Sequence, residues 1–322
     1  MWKTIPSCGK LLCYNIFMEL PLLQTKKWQK LQQDLKKTTF FEQNSNFSYL
    51  AILENTPMGN YLYIPYGPIA DTLPNFKNAI KELKKIATEN SAFFIRIEPQ
   101  NTSFLPFLNK NAKKTTDLNP KETWILDLPT DETELKNKLP SRLLRYYKNR
   151  EKSGLSIETS KNPTDIKYLV DLQQKLAKTK KINIFSENYL KTELMQDFST
   201  LYLVKFEQKV VAAGLVFDDD NTRYNLQGAQ DENFRKLHAT GILTIQLILD
   251  AAAKKLKKFD FWGIAPENAP KNHPWAGFTA FKKTFNGREV AYCGTFDLIL
   301  SRQKYTLYSL LRKINRLFRK FI

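Results

Sequence analysis

The chain has 322 residues, 42% of them hydrophobic and 13% aromatic, enough apolar surface for one large core or two ordinary ones; this excludes a disordered chain. Lys and Arg number 50 against 32 Asp and Glu, and the formal charge of +18 attracts polyanions and anionic bilayers alike. With 3 cysteines, 2 histidines and no CxxC pair, neither a disulfide framework nor a typical zinc or di-metal site is expected, and a Ser-His-Asp triad has little to draw on.

An amphipathic helix is predicted over residues 26–37, followed by a polar loop over 38–46. A strand at 61–64 runs into the turn-forming Pro65-Tyr66-Gly67-Pro68. Over residues 75–90, Phe76, Ile80, Leu83 and Ile86 recur at helical spacing and leave the lysines outside. Residues 92–97 read as a buried strand ending at Glu98-Pro99.

A second block opens with a strand at 123–128, which puts Trp124, Leu126 and Leu128 on one side. Thr130 is placed to cap the next helix, with Asp131 and Glu132 in its first turn, and Pro140 suits the start of another running to about Lys152. Helices near 164–178 and 187–198 precede a hairpin of 201–207 with 210–217, turning at Gln208, and a third strand at 222–228. A long helix over 239–255 and a strand at 258–262 follow. Strands, then helix, then strand is the central order of an acyltransferase-type α/β sheet, and the first block shows a weaker version of it. The predicted class is α/β (α+β), as two such units side by side. No clear signal peptide and no long apolar run stands out, so the chain is read as cytoplasmic, soluble or peripheral at the inner face of the plasma membrane.

Four segments then show a resemblance. Tyr63-Ile64-Pro65-Tyr66-Gly67-Pro68, Phe94-Ile95-Arg96-Ile97-Glu98-Pro99, Asp260-Phe261-Trp262-Gly263-Ile264 and the run from Gly277 through Phe281-Lys282-Lys283 to Gly287 occur in this order. They resemble those of the FemABX aminoacyltransferases, which build the interpeptide bridge of peptidoglycan, over nearly the whole chain. The resemblance implies two acetyltransferase-like (GNAT-type) domains, each a mixed, mostly antiparallel sheet flanked by helices: residues 1–127 with 296–322 returning to them, and 128–295. It further implies a monomer, an aminoacyl-tRNA donor as co-substrate with no other cofactor and no metal, and the stem-peptide amine of a UDP-linked or lipid-linked muropeptide as acceptor.

Aminolysis of an ester builds negative charge on the ester oxygen, which a positive group must meet. The resemblance places that group at Lys282 of the Phe281-Lys282 pair, although a lysine among 50 is ordinarily solvated. Glu98 stands where the family usually carries Asp; it reads equally as a base or as a strand-end carboxylate holding a helix N-terminus. Asp260 reads more readily as ordering the loop at 263–266. Tyr66, Tyr189 and Tyr224 are candidates for the acceptor groove, and each reads equally as a core aromatic. Where the family has an arginine four residues before a tyrosine, this chain has Phe185 and Tyr189, so Lys180 or Lys181 is expected to stand in for the arginine.

Acyl-coenzyme A enzymes of this fold cradle pyrophosphate on a glycine loop opening the long helix; here the place reads Arg235-Lys236-Leu237-His238-Ala239-Thr240, with Gly241 one step on. Arg142, Arg145 and Lys152 share one helical face, a candidate tRNA footprint or simply a solvated face. At the C-terminus, Leu307, Leu310, Leu311, Ile314, Leu317, Phe318 and Phe321 make an apolar stripe flanked by Arg312, Lys313, Arg316, Arg319 and Lys320. It fits an anionic membrane surface or docks on the protein itself. Two other functions stay open: an acyl-coenzyme A-dependent N-acyltransferase, and a non-catalytic basic protein binding RNA or membranes.

Overall fold

The computed structural model describes residues 19–180, 184–270 and 272–321, with the side chains of 179–180 and 315–321 outside that description. Helix α1 (Lys26–Asp34) starts where the Thr25 hydroxyl accepts a hydrogen bond from the Trp28 N–H. Strands β1 (Thr38–Gln43), β2 (Phe47–Thr56) and β3 (Gly59–Ile64) then form an antiparallel meander. Most of the loop expected over 38–46 is therefore strand. It lies at the sheet edge with no residue fully buried, so its sequence carries no period-two signal.

Beyond the short strand β4 (Ile69–Ala70), helix α2 (Leu73–Glu89) begins at Thr72, whose side chain accepts from the Asn75 N–H. Its face of Phe76, Ala79, Ile80, Leu83 and Ala87 is buried. Strand β5 (Ala92–Ile97), buried throughout, lies parallel to β3; α3 (Leu105–Asn111) and β6 (Lys113–Lys114) follow.

After β7 (Glu122–Asp127), helix α4 (Glu132–Lys138) is capped by Asp131, which accepts from the Glu134 N–H at 2.7 Å. The expected Thr130 cap is thus displaced by one residue, to a carboxylate that the helix dipole also favours. Helix α5 (Ser141–Lys148) stops short of Lys152. Strand β8 (Leu155–Ser160), helices α6 (Ile166–Lys180) and α7 (Glu187–Leu194), and the hairpin of β9 (Ser199–Phe206) and β10 (Lys209–Asp218) come next. At the hairpin turn Glu207 and Gln208 have φ of 47° and 66°, the left-handed pair that a two-residue connection between twisted strands requires. The remaining elements are β11 (Thr222–Gln230), α8 (Ala239–Ala253), β12 (Lys258–Gly263), α9 (Ala276–Lys283), β13 (Arg288–Ala291), β14 (Phe296–Ile299) and α10 (Arg302–Phe321).

Two mixed sheets result. The first has the order β1-β2-β3-β5-β14-β6 with β4 beside β2; the second has β13-β7-β12-β11-β10-β9-β8. β3 runs parallel to β5 and β11 parallel to β12, and the other pairs are antiparallel. The hairpin-strand-helix-strand order therefore occurs twice. β7, placed before the expected boundary at residue 127, is hydrogen-bonded inside the second sheet, so the sheets part ahead of it. β14 returns to the first sheet against β5.

Each sheet has its own core, around Leu62, Phe76, Leu83 and Ile95 in the first and Val204, Ile245, Phe259 and Phe261 in the second. Another apolar cluster joins Leu22, Trp28, Leu50 and Tyr66 to Leu169, Leu190, Leu215 and Tyr224, so it draws on both halves. Burying each such side chain contributes about 1.5–3 kcal/mol. Within the second sheet, β11 and β12 pair only from Thr222↔Lys258 to Tyr224↔Asp260; β11 then continues with β10, while β12 ends against β7 at Gly263↔Thr123. Beyond the split, Trp262 near the C-terminal end of β12 meets Tyr66 of the first half.

Candidate active site

The backbone of β12 folds on itself at that split. Trp262 takes φ of 65°, and its N–H donates to Asp260 Oδ1 at 2.7 Å. The Thr123 hydroxyl donates to the same oxygen. Asp260 is 4% exposed, and burial pushes its carboxyl up to about 6, against the pull of Thr123, the Trp262 N–H and the charge of Lys282.

Lys282 lies in the last turn of α9 and donates from Nζ to the Gly263 carbonyl at 2.6 Å. Burial brings its ammonium down to about 8, while Asp260 acts in the opposite direction. The two side chains form no direct ion pair among the described residues, and each lies in the other's field. A Cβ on Gly263 would meet Pro120 at 2.5 Å, so only glycine lets the segment entering β7 pass this close to the lysine's acceptor. Phe281 packs into the core of the second sheet, edge-on to Phe285 at 5.5 Å, and anchors α9 while its neighbour faces Gly263.

Beside Asp260 is a cavity of about 130 Å³, walled by Tyr66, Tyr224, Trp262 and Tyr292 and bordered by Gln100 and Leu22. Tyr66 donates to the Pro120 carbonyl at 2.9 Å, with its ring 5.4 Å from Trp262 and 5.1 Å from Tyr292. The Tyr224 hydroxyl donates to Asp219 at 2.7 Å. At the rim Glu19 and Lys258 pair at 2.9 Å. Tyr66, Tyr224 and Asp260 thus line one cavity, and Lys282, held on the Gly263 carbonyl, is not among its lining residues. Tyr292 and Thr123 were missed: neither belongs to the four motif segments, and Thr123 arrives on β7 and Tyr292 on the segment after β13.

Glu98 is placed differently. It is 2% exposed, and Oε1 accepts from the Thr295 hydroxyl at 2.7 Å and from the N–H groups of Leu118 and Asn119. Oε2 accepts from Tyr63 at 2.8 Å and from the Asn119 amide at 2.7 Å. A carboxylate so fully engaged ties β5, the linker before β7 and the approach to β14 together; it offers no free lone pair to a substrate proton. Glu98 is thus a structural carboxylate, but it ties loops and strands together rather than holding a helix N-terminus as expected.

Tyr189 stacks on Phe185 at 4.7 Å and bonds to the buried Glu193, whose carboxyl burial raises to about 8; it does not line the cavity. Lys180 closes α6 with its side chain outside the described residues, and Lys181 lies outside them altogether. Arg142 and Arg145 are on α5 with guanidinium groups 5.5 and 5.9 Å from the Tyr146 ring centroid; Lys152 is exposed beyond the helix end. Tyr146 stacks on His238 at 4.3 Å, which joins this basic face to Arg235 and Lys236 at the start of α8. Among the described residues no three His, Cys, Asp or Glu side chains gather as metal ligands would.

The model of the FemAB family matches residues 133–313, more than half of the chain. This chain belongs to the FemAB family. Its fold is similar to that of FemX, with TM-score 0.76 at 17% identity over 91% of this chain and 96% of the other. It is also similar to the C-terminal domain of a putative lysylphosphatidylglycerol synthetase from Agrobacterium fabrum, with TM-score 0.56 and 14% identity over 89% and 91% of the two chains. A tandem GNAT protein from the clavulanic acid pathway matches with TM-score 0.51 and 11% identity, over 80% and 79%. No curated protein matches the sequence. FemAB membership supports an acyltransferase of the peptidoglycan-bridge class, and the neighbours show that the sheets are GNAT-like.

Proposed function

We propose that the chain moves an amino acid from aminoacyl-tRNA to the stem-peptide amine of a UDP-linked or lipid-linked muropeptide. The observation that carries this reading is the buried cation: Lys282 is held on the Gly263 carbonyl at the end of β12, in the field of Asp260, and Asp260 lines the cavity. The acceptor nitrogen attacks the ester carbonyl carbon, an amide C–N bond forms and the ester C–O bond breaks. The proton lost by nitrogen passes to the ribose oxygen that leaves. Lys282 meets the negative charge on oxygen in between, and burial strengthens that interaction.

The start of α8 favours a donor other than coenzyme A. The space beside Gly241 is filled by Leu143, 2.6 Å from where a Cβ would sit, so this glycine serves helix packing rather than close phosphate approach. His238, left-handed with φ of 54°, is stacked beneath Tyr146. Arg142 and Arg145 on α5 then serve tRNA phosphates; Lys152 lies in the turn beyond the helix end and does not share their helical face. Label moving from charged tRNA to the muropeptide, and not from acyl-coenzyme A, is the expected result; label moving only from acyl-coenzyme A overturns the proposal.

Helix α10 supports a peripheral membrane role in the same reading. Tyr305 and Tyr308 dock on Phe93 and Phe94, while Leu307, Leu310, Leu311 and Ile314 stay exposed beside Arg312 and Lys313. The part of the stripe beyond Ile314 lies outside the described side chains. No helix among the described residues is long and apolar enough to cross a membrane. Replacing Leu307 and Leu310 by serine is expected to weaken binding to anionic vesicles; unchanged binding removes the membrane role.

A further inference from the structure

Asp260 is an unbalanced charge. Both hydrogen bonds to its carboxylate fall on Oδ1, from Thr123 and the Trp262 N–H, and Oδ2 receives none among the described residues. Lys282 does not neutralise it directly, because its ammonium is engaged with the Gly263 carbonyl. The carboxylate is more than nine-tenths buried and lines the cavity. A buried carboxylate with a free oxygen is costly unless a charged partner arrives to complete it.

The walls around it fit one kind of partner. Tyr66, Trp262, Tyr224 and Tyr292 present aromatic rings, whose faces carry negative potential. The Tyr292 hydroxyl takes no hydrogen bond from the described residues, whereas those of Tyr66 and Tyr224 are already spent on Pro120 and Asp219. Asp219, in Asp260's field, adds negative charge; Glu19 with Lys258 and Arg288 with Asp127 are internally paired; among the described residues Lys282 is the opposing charge that acts most on Asp260. A small aromatic cavity holding a carboxylate oxygen and a free phenol selects a compact cation with N–H donors.

We propose that this cavity binds a primary ammonium group, with Asp260 Oδ2 as counter-ion and Tyr292 Oη as a second acceptor. The proposal rests on the aminoacyl-transfer reading only for the origin of the group: the α-ammonium of the transferred amino acid, or the amine of the acceptor peptide before it loses its proton. The ammonium fixes one substrate against Asp260 while its ester or peptide end reaches toward Lys282.

The test uses small probes with the full chain and needs no transferase activity. L-Alanine methyl ester represents the donor, with methyl L-lactate as its neutral counterpart. Nα-Acetyl-L-lysine amide represents the acceptor, with the Nα,Nε-diacetyl compound as its neutral counterpart. Binding is followed by calorimetry and ligand-observed NMR. One ammonium probe is expected to bind at least about tenfold tighter than its neutral counterpart, and which one does so identifies the source. Asp260→Asn should lower that affinity by about tenfold to a hundredfold, and Tyr292→Phe by about threefold to tenfold. If Asp260→Asn does not fold, the wild-type comparison and Tyr292→Phe decide. Equal binding of charged and neutral probes, no binding of either ammonium probe, or full affinity in a folded Asp260→Asn overturns the proposal. An ammonium site in a protein that moves no label from tRNA overturns the functional reading and leaves this one standing.

Discussion

Arg96 and Asp297, 201 residues apart in sequence, meet in a bidentate pair with both contacts at 2.8 Å, and the Tyr305 hydroxyl donates to the same carboxylate at 2.7 Å. The pair is sealed at 2% and 0% side-chain exposure. It ties β5 to β14 and to the first turns of α10, so it closes the first sheet with the returning C-terminal segment. Removing one partner leaves the other charge buried and alone. Asp297→Ala is expected to lower the unfolding free energy by about 3–5 kcal/mol, measured by urea denaturation. A loss below about 1 kcal/mol, as for a surface pair, contradicts the clamp.

Lys282 carries the chemistry in the proposed reaction, and its replacement tests this most directly. Lys282→Met keeps an apolar stem of similar length and removes the charge. We expect kcat to fall by about a hundredfold to a thousandfold, with the circular dichroism spectrum unchanged. Retained kcat in the folded variant would assign the cation a packing role.

The rate should peak between two limbs. Asp260, raised to about 6, loses its negative charge as pH falls through that value, and the proposed ammonium site weakens with it. Lys282, lowered to about 8, loses its positive charge as pH rises through that value, and stabilisation of the oxygen charge goes with it. Activity is therefore highest between about 6 and 8. The residual rate of Lys282→Met should lack the alkaline limb; persistence of that limb would attribute it to another group.

Glu98 holds five donors and takes no direct part in the proposed proton transfer. Glu98→Ala is expected to cost about 3 kcal/mol of stability, since buried donors lose their acceptor. In Glu98→Gln the acid limb of the rate profile should stay where it is. Loss of that limb would restore Glu98 as the base.

Arg142 and Arg145 have no carboxylate partner among the described residues, which leaves both charges free for phosphate. Affinity for tRNA should fall steeply with salt, and alanine at either position should reduce the slope of log affinity against log salt by about 1. A salt response unchanged in the double variant moves the footprint elsewhere.

Much of this molecule is local and can be read along the chain. The β9–β10 hairpin, the face of α2 and the apolar α8 follow from periodicity, caps and turn residues, all set within a few positions of sequence. Lys282 and Asp260 were singled out through their motif neighbours, Asp260 as a carboxylate ordering the loop at 263–266. The edge strand β1 was not, because half-buried residues show no alternation. Sequence alone determined the repeated strand-helix-strand order and which charged residues sit in the motif segments. Only the tertiary structure decided what each charge is free to do. Glu98 and Asp260 are both carboxylates near the end of buried strands, yet five donors saturate the first, while the second keeps one oxygen toward a cavity. Those donors come from residues up to 197 positions away, and no local pattern encodes which of them will arrive.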